Sequence, residues 1–308
     1  MKLFPNGDKV FEVISRYDDL LTLAEKEDYE PGDTLALIVP FLVLHDISED
    51  NISILAAKAR LTGGAADLVH QLQANGWRTF FISTSYQQYA LHITQKLGVY
   101  SHNVACTYFP LKQFLRTLCK EDSDLLQQAE KEILALHPPT DDERIKQTLD
   151  RFYLEKLPAT EIGEAIKEVK PVGGRRKVTA LTKFAEAHSQ PLSQWVVVGD
   201  SITDFRMLQT VGEAGGLAIA FNANEYALPY STMSLASTSI ADLKEILQIW
   251  EKSQRKGVER IVKEKEKAGG KGDREHFHWL SGRENIDEVI EIHKRIRRVV
   301  REEAGNLG

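Results

Sequence analysis

Blocks of apolar residues separated by amphipathic segments predict a parallel sheet with helices between its strands. Residues 78–85, 195–199 and 216–221 are apolar runs rich in β-branched or aromatic residues, typical of buried strands. Shorter runs at 104–109 and 233–235 predict two further strands. Apolar residues at helical spacing lie between the runs, and strand, helix and strand in this order are typical of a right-handed βαβ unit.

Much of the remaining chain is predicted to be helical. Residues 1–28 have apolar positions at three- and four-residue spacings, with Asp8 as a candidate N-cap. The apolar run 35–46 fits either a buried strand or a helix kinked at Pro40, since proline removes a backbone donor from a strand. The polar stretch 112–170 is interrupted at His137-Pro138-Pro139-Thr140. Further helices are expected at residues 50–60, 65–75, 175–188, 242–256 and 285–303.

The run at 195–199 leads into the residues with the most specific chemistry. Asp200 and Asp204 follow Gly199 and flank a predicted turn from strand to helix. Ligands of open α/β sheets bind at the carboxyl ends of the strands, which is where this turn would lie. Two carboxylates there favour a Mg²⁺ site, although the same residues could also end a strand and cap a helix.

The motif G-D-S-x-x-D after a buried strand, followed by an apolar run ending in A-F-N-A-N, resembles the fourth motif of haloacid-dehalogenase-type (HAD) hydrolases. In detail it is similar to the phosphoserine-phosphatase branch and to a group of uncharacterised archaeal HAD-like proteins. The resemblance implies an α/β fold: a HAD-like, Rossmann-like parallel sheet with a helical cap or insertion and a C-terminal helical tail. We expect these parts at residues 1–60 (cap-like segment), 61–110 and 170–256 (core), 111–169 (helical insertion) and 257–308 (charged helical tail).

The resemblance also implies a Mg²⁺-dependent phosphatase and assigns roles to particular residues. Asp200 and Asp204 would hold the metal ion. Ser83, at the end of its strand, matches the second family motif, and Lys177, at the start of a helix after Gly173-Gly174, matches the third. Both would hold the transferring phosphate, with Arg176 as the alternative cation. Three further residues are expected to contact a phosphorylated small-molecule substrate: Thr84, Thr203 and Asn222.

Two features separate the chain from the family pattern. Thr84 and Ser85 stand where the phosphoserine-phosphatase branch has two glycines, so the substrate of that branch is not implied. Family members attack with an aspartate in D-x-D at the end of the central strand, and here no D-x-D follows an apolar run. The segment 46–50 comes nearest, with a different spacing. The sheet would then have a gap between the strands that end at Ser83 and Asp200.

Two explanations of this gap remain open. The strand with the nucleophile could lie upstream of Met1, which would make the protein a phosphatase. Alternatively, a divergent chain could have lost hydrolysis and could bind a phosphorylated ligand or a partner protein instead.

Composition narrows the possible partners. The net charge of −6, without a basic stripe, argues against a nucleic-acid surface. No apolar run is long enough for a membrane span, and two cysteines are too few for a disulfide framework, so we expect a cytoplasmic protein. Residues 257–274 are rich in Lys, Arg and Glu, and the final amphipathic helix favours a monomer or a homodimer. The histidines form no recognisable set of metal ligands.

Overall fold

The computed structural model describes residues 3–24 and 29–305, with side chains described as far as residue 300. Its Cα positions divide into two compact units. The first unit consists of Met1–Ala57, Ser83–His92 and Ala105–Gly173. The second consists of Lys58–Ile82, Ile93–Val104 and Gly174–Gly308.

The chain contains both helices and strands, and two runs of consecutive helices precede the four-stranded part. The helices are α1 Gly7–Leu23, α2 Thr34–Leu37, α3 Val39–Leu44, α4 Glu49–Lys58, α5 Ala65–Ala74, α6 Gln87–Lys96, α7 Leu111–Thr117, α8 Lys120–Leu134, α9 Asp142–Asp150, α10 Glu161–Ile166, α11 Arg175–Ala187, α12 Phe205–Glu213, α13 Lys244–Ala268 and α14 Asp287–Gly305. The strands are β1 Phe81–Tyr86, β2 Val104–Thr107, β3 Val196–Gly199, β4 Leu217–Phe221, β5 Met233–Ala236 and β6 His276–Trp279.

The core of the first unit is built almost entirely from helices. Amphipathic helices α1, α8 and α9 contribute one apolar face each, whereas most of α3 is buried. The apolar run around Pro40 is therefore helical, as one of the two alternatives predicted. Pro40 lies in the first turn of α3, where a missing N–H leaves no helical hydrogen bond unmade.

The predicted N-cap of α1 is wrong. Asp8 lies inside the first turn, and α1 begins at Gly7 after Asn6, which has a left-handed backbone (φ 57°). No side chain caps this end. Asp8 still places a negative charge in the first turn of the helix, where it interacts favourably with the helix dipole.

The second unit contains a four-stranded sheet in the order β3-β4-β5-β6. β3, β4 and β5 are parallel, whereas β6 runs antiparallel to β5 and pairs Ser234 with His278. β6 was not predicted from the sequence. Its four residues, His-Phe-His-Trp, alternate polar and apolar in the strand period, but they are few and follow a segment dominated by charged residues.

The two faces of this sheet have different packing partners. Large side chains such as Ile219 and Leu235 face α13, whose first part contributes Trp250 to the same cluster. On the other face, Ala218 and Ala220 pack in one cluster with residues of α12 and α14. Small residues on this face let the helices approach closely, which brings both helices near the carboxyl ends of the strands.

One predicted helix is much longer in the structure. α13 continues to Ala268, beyond the predicted end near residue 256, after a kink at Gln254 (φ 49°). The final helix, predicted for 285–303, is present as α14. Within the described ranges, no helix has the length and apolar character needed to cross a membrane.

β3 is an edge strand. It pairs with β4 on one side, and no described strand of the four-stranded sheet pairs with its other side. Val198 is 38% exposed, although the apolar sequence of β3 is typical of a strand buried on both faces. The gap expected between this strand and the strand of Ser83 stays a prediction.

His293 holds α14 against the sheet. Its imidazole is fully buried, and the Ala223 N–H donates to Nδ1 at 2.9 Å. Nδ1 is therefore an acceptor and Nε2 carries the proton of the neutral ring. Burial, aided by the nearby charges of His278, His276 and Arg297, lowers the pKa of His293 from 6.5 to about 3.

We predict that His293 makes the protein less stable in acid. The unfolded chain binds a proton near pH 6.5 and the folded protein only near pH 3, so the stability conferred by neutral His293 is lost as the pH falls between these values. The expected loss is at most about 1.4 kcal/mol per pH unit, measured by urea unfolding across that range. His293→Gln should flatten this slope, whereas His137→Gln, which removes an exposed imidazole, should not. An equal slope in both variants would contradict the assignment.

Candidate active site

The Asp204 carboxylate organises the loop between β3 and α12. Its Oδ2 accepts hydrogen bonds from the backbone N–H groups of Asp200 and Ser201, both at 3.1 Å. The Ser201 hydroxyl donates to the same oxygen at 3.2 Å. Asp204 is 5% exposed, so these bonds are shielded from solvent. One side chain thus binds both amides that follow β3 and ties the loop to the start of α12.

The other oxygen of Asp204 forms a buried ion pair with Lys177. The distance from Lys177 Nζ to Asp204 Oδ1 is 2.6 Å, and both side chains are buried. Lys177 lies in the first turn of α11, and this helix begins directly after Gly173-Gly174. The Gly174 N–H also donates to the Thr203 carbonyl at 3.0 Å. The predicted third and fourth motifs therefore meet through one ion pair and one backbone hydrogen bond.

Gly199 permits this arrangement at the end of β3. A Cβ atom at this position would lie 2.6 Å from Cβ and 2.9 Å from Cγ of Asp204, closer than nonbonded carbon atoms can approach. Asp204 has little room to move, since both of its carboxylate oxygens are engaged. The glycine of G-D-S-x-x-D is thus required for close packing of the loop on its own strand.

Asp200 points towards solvent, unlike Asp204. Its side chain is 57% exposed, and Oδ2 lies 3.3 Å from a guanidinium nitrogen of Arg297 in α14. Arg297 also donates to the Asp200 carbonyl at 2.9 Å. Arg297 could not be identified from the sequence, because nothing in a regular amphipathic helix 97 residues away distinguishes one of its arginines from the others.

Asn222 directly follows β4, and its side chain binds the backbone of Ser237. The amide nitrogen donates to the Ser237 carbonyl at 2.8 Å, and the amide oxygen accepts from the Ser237 N–H at 2.9 Å. Its backbone is left-handed (φ 45°), and its carbonyl accepts from Arg297 at 3.4 Å. Asn222 therefore joins the ends of β4 and β5. Its predicted contact with substrate stays a prediction.

Thr203 and the residues of the second motif stay predictions as well. The Thr203 hydroxyl lies 2.9 Å from that of Ser201. In the first unit, the Ser83 hydroxyl accepts from the Ser85 N–H at 3.2 Å, and Thr84 donates to the Val172 carbonyl at 3.0 Å. The prediction that Ser83 ends its strand is wrong, because β1 continues through Thr84 and Ser85 to Tyr86.

A family model described as haloacid dehalogenase-like hydrolase matches residues 65–242, which is more than half of the chain. This range contains β3, α11 and every predicted site residue. The chain belongs to the haloacid dehalogenase-like hydrolase family. The family predicted from the G-D-S-x-x-D motif is thus confirmed, whereas the phosphoserine-phosphatase branch stays a prediction.

A solved archaeal structure resembles almost the whole of this HAD-like hydrolase. Gene product AF1437 from Archaeoglobus fulgidus matches with a TM-score of 0.82 and 25% sequence identity. The match covers 96% of this chain and 89% of that chain. No curated protein matches in the corresponding sequence comparison. The likeness confirms the predicted α/β class with its parallel sheet and its helical regions.

The donor set of this HAD-like hydrolase fits a hard divalent cation. Asp200 offers a largely exposed carboxylate at the carboxyl end of a strand, and Asp204 lies behind it. Among the described residues, no three side chains of His, Cys, Asp or Glu converge closely enough to enclose a metal ion. Mg²⁺ suits such an incomplete set, because it commonly keeps several waters and takes one or two protein carboxylates plus phosphate oxygens.

We predict that breaking the buried ion pair from one side destabilises the protein severely. Lys177→Met leaves the Asp204 charge buried without a counter-ion, which costs about 3–5 kcal/mol. Lys177→Met combined with Asp204→Asn should lose less than the sum of the single losses, measured by urea unfolding followed by circular dichroism.

The exposed pair Lys263–Glu259, also 2.6 Å apart, provides the control. Lys263→Met should change the free energy of unfolding by no more than about 0.5 kcal/mol, because exposed pairs contribute little. Additive losses in the Lys177 and Asp204 variants would show that these two charges are not coupled.

Proposed function

We propose that this protein is a Mg²⁺-dependent phosphatase that hydrolyses a phosphate ester of a small molecule. The observation that carries the proposal is the loop after β3, where a buried ion pair fixes the backbone and leaves the Asp200 carboxylate directed to solvent. In phosphoryl transfer, a bound metal ion neutralises charge that develops on the phosphate oxygens. Membership of a hydrolase family supports the reaction class.

The roles we propose follow from the contacts of each residue. Asp200 would be a direct metal ligand. Asp204 belongs to the same proposed metal site, but both of its carboxylate oxygens accept hydrogen bonds from the protein. It would therefore act mainly by fixing the loop that presents Asp200. Lys177 and Ser83 would hold the transferring phosphate, as cation and hydroxyl donor respectively. We retain the remaining predicted substrate contacts as part of the proposal: Thr84, Thr203 and Asn222.

We propose that the nucleophile lies on a strand beside β3 that is not among the 308 residues. No D-x-D follows an apolar run in the 308 residues. Among the described strands β3 lies at the edge of its sheet, so a further strand could pair with its backbone there. A carboxylate at the end of that strand would come close to Asp200, because neighbouring parallel strands end at the same edge of a sheet.

A second candidate function is supported by the same missing nucleophile. A HAD-like protein without it could still bind a phosphorylated ligand through Lys177 and Asp200 and release it unchanged. Both functions predict that the protein binds a phosphorylated ligand. Only the phosphatase would hydrolyse it.

A chromogenic phosphate ester with Mg²⁺ provides the test. We expect no hydrolysis by the 308-residue chain, because an attacking carboxylate is missing. If the DNA upstream of the Met1 codon encodes an apolar run followed by D-x-D, the longer protein should hydrolyse the ester. Asp200→Asn in the longer form should lower the rate at least about a hundredfold, as expected for the loss of a group that stabilises transition-state charge.

Two results would contradict the proposal. Hydrolysis by the 308-residue chain that is abolished by Asp200→Asn would show that the nucleophile lies within these residues. An inactive longer form that binds inorganic phosphate with Mg²⁺ would favour the non-catalytic function.

A further inference from the structure

Arg297 joins three acceptors at the carboxyl ends of β3 and β4. One guanidinium nitrogen donates to the carbonyl of Asp200 at 2.9 Å and lies 3.4 Å from the carbonyl of Asn222. The second lies 3.3 Å from Oδ2 of Asp200. A single side chain thus binds the backbone of both loops and the carboxylate proposed as a metal ligand.

The position of Arg297 is fixed by its helix. His293 lies one helical turn earlier, is fully buried and accepts a hydrogen bond from Ala223, the residue after Asn222. Ile296 of the same helix is also fully buried. The Arg297 side chain is 20% exposed, compared with 51% for Arg295, which pairs with Asp273 at 2.8 Å. Arg297 is therefore part of a packed interface within the second unit.

We propose that Arg297 is the built-in counter-cation of Asp200 and that it competes with a divalent metal ion for this carboxylate. The inference rests on the metal site of the proposed function. A guanidinium and a metal ion both carry positive charge, so the metal must displace the ion pair or share the carboxylate against repulsion. Arg297 would thereby keep the Asp200 loop in order when no metal is bound and weaken the affinity for the metal.

Mn²⁺ binding tests this role without requiring turnover. The probe is Mn²⁺ alone, added to the 308-residue protein, with the free ion measured by electron paramagnetic resonance and displaced by Mg²⁺. Arg297→Gln removes the charge and should raise the affinity about three- to fivefold, the effect of a partly exposed ion pair. Arg297→Lys keeps the charge and should stay within about twofold of the unsubstituted protein.

Arg295→Gln is the matched control, because it removes the same charge from the same helix without contact to Asp200. It should leave the affinity within about twofold of the original. Near-ultraviolet circular dichroism of each variant checks that α14 remains packed.

The outcomes distinguish this inference from the proposed function. Equal affinity in Arg297→Gln and the original protein, or lower affinity in the variant, would overturn the competition. Loss of Mn²⁺ binding in Asp200→Asn would support the metal site itself. If no protein binds Mn²⁺, or if Asp200→Asn binds it as well as the original, the proposed metal site fails and the role of Arg297 fails with it.

Discussion

The buried ion pair between Lys177 and Asp204 is the interaction on which the geometry of the site depends. Removing two charges from water is costly, so the pair contributes less to net stability than the cost of breaking it implies. Its effect is chiefly geometric: one carboxylate binds an ammonium group and the amides of Asp200 and Ser201. The loop after β3 and the start of α11 can therefore move only together. This coupling fixes Asp200 although its own side chain is exposed.

The sheet supplies the close approach that this ion pair requires. Gly199 allows Asp204 to fold back on β3, and the small residues Ala218 and Ala220 let α12 and α14 pack near β4. The same packing brings Arg297 to Asp200 from the end of the chain. The site of the second unit is consequently built from four segments of the chain: the starts of α11 and α12, the end of β4 and a turn of α14. Elements distant in sequence are held there by buried polar contacts, of which the His293 bond to Ala223 is one.

The sequence was informative where local pattern and local chemistry coincide. The apolar run of β3, the glycine and the two aspartates predicted a strand, a tight turn and a helix, and all three are present. β6 was not predicted, because only four residues with alternating polar and apolar side chains, in a segment rich in charges, indicate a strand weakly. Arg297 and the use of Asn222 as a link to Ser237 could not be predicted, because both depend on which strand or helix lies adjacent in space. The spacing of Asp200 and Asp204 likewise could not show that one is exposed and the other fully engaged.

The apolar sequence of β3 does not match the position of this strand at the edge of its sheet. Four consecutive apolar residues, Trp195 to Val198, are typical of a strand in the interior of a sheet, yet among the described residues no strand of the four-stranded sheet pairs with the second side of β3. Exposed edges in stable proteins usually carry charges, prolines or bulges that discourage pairing, and β3 has none of these. Its sequence thus suits a strand with neighbours on both sides. A pairing strand would satisfy backbone groups at the edge and end beside Asp200, so the same structural demand bears on stability and on the position proposed for the nucleophile.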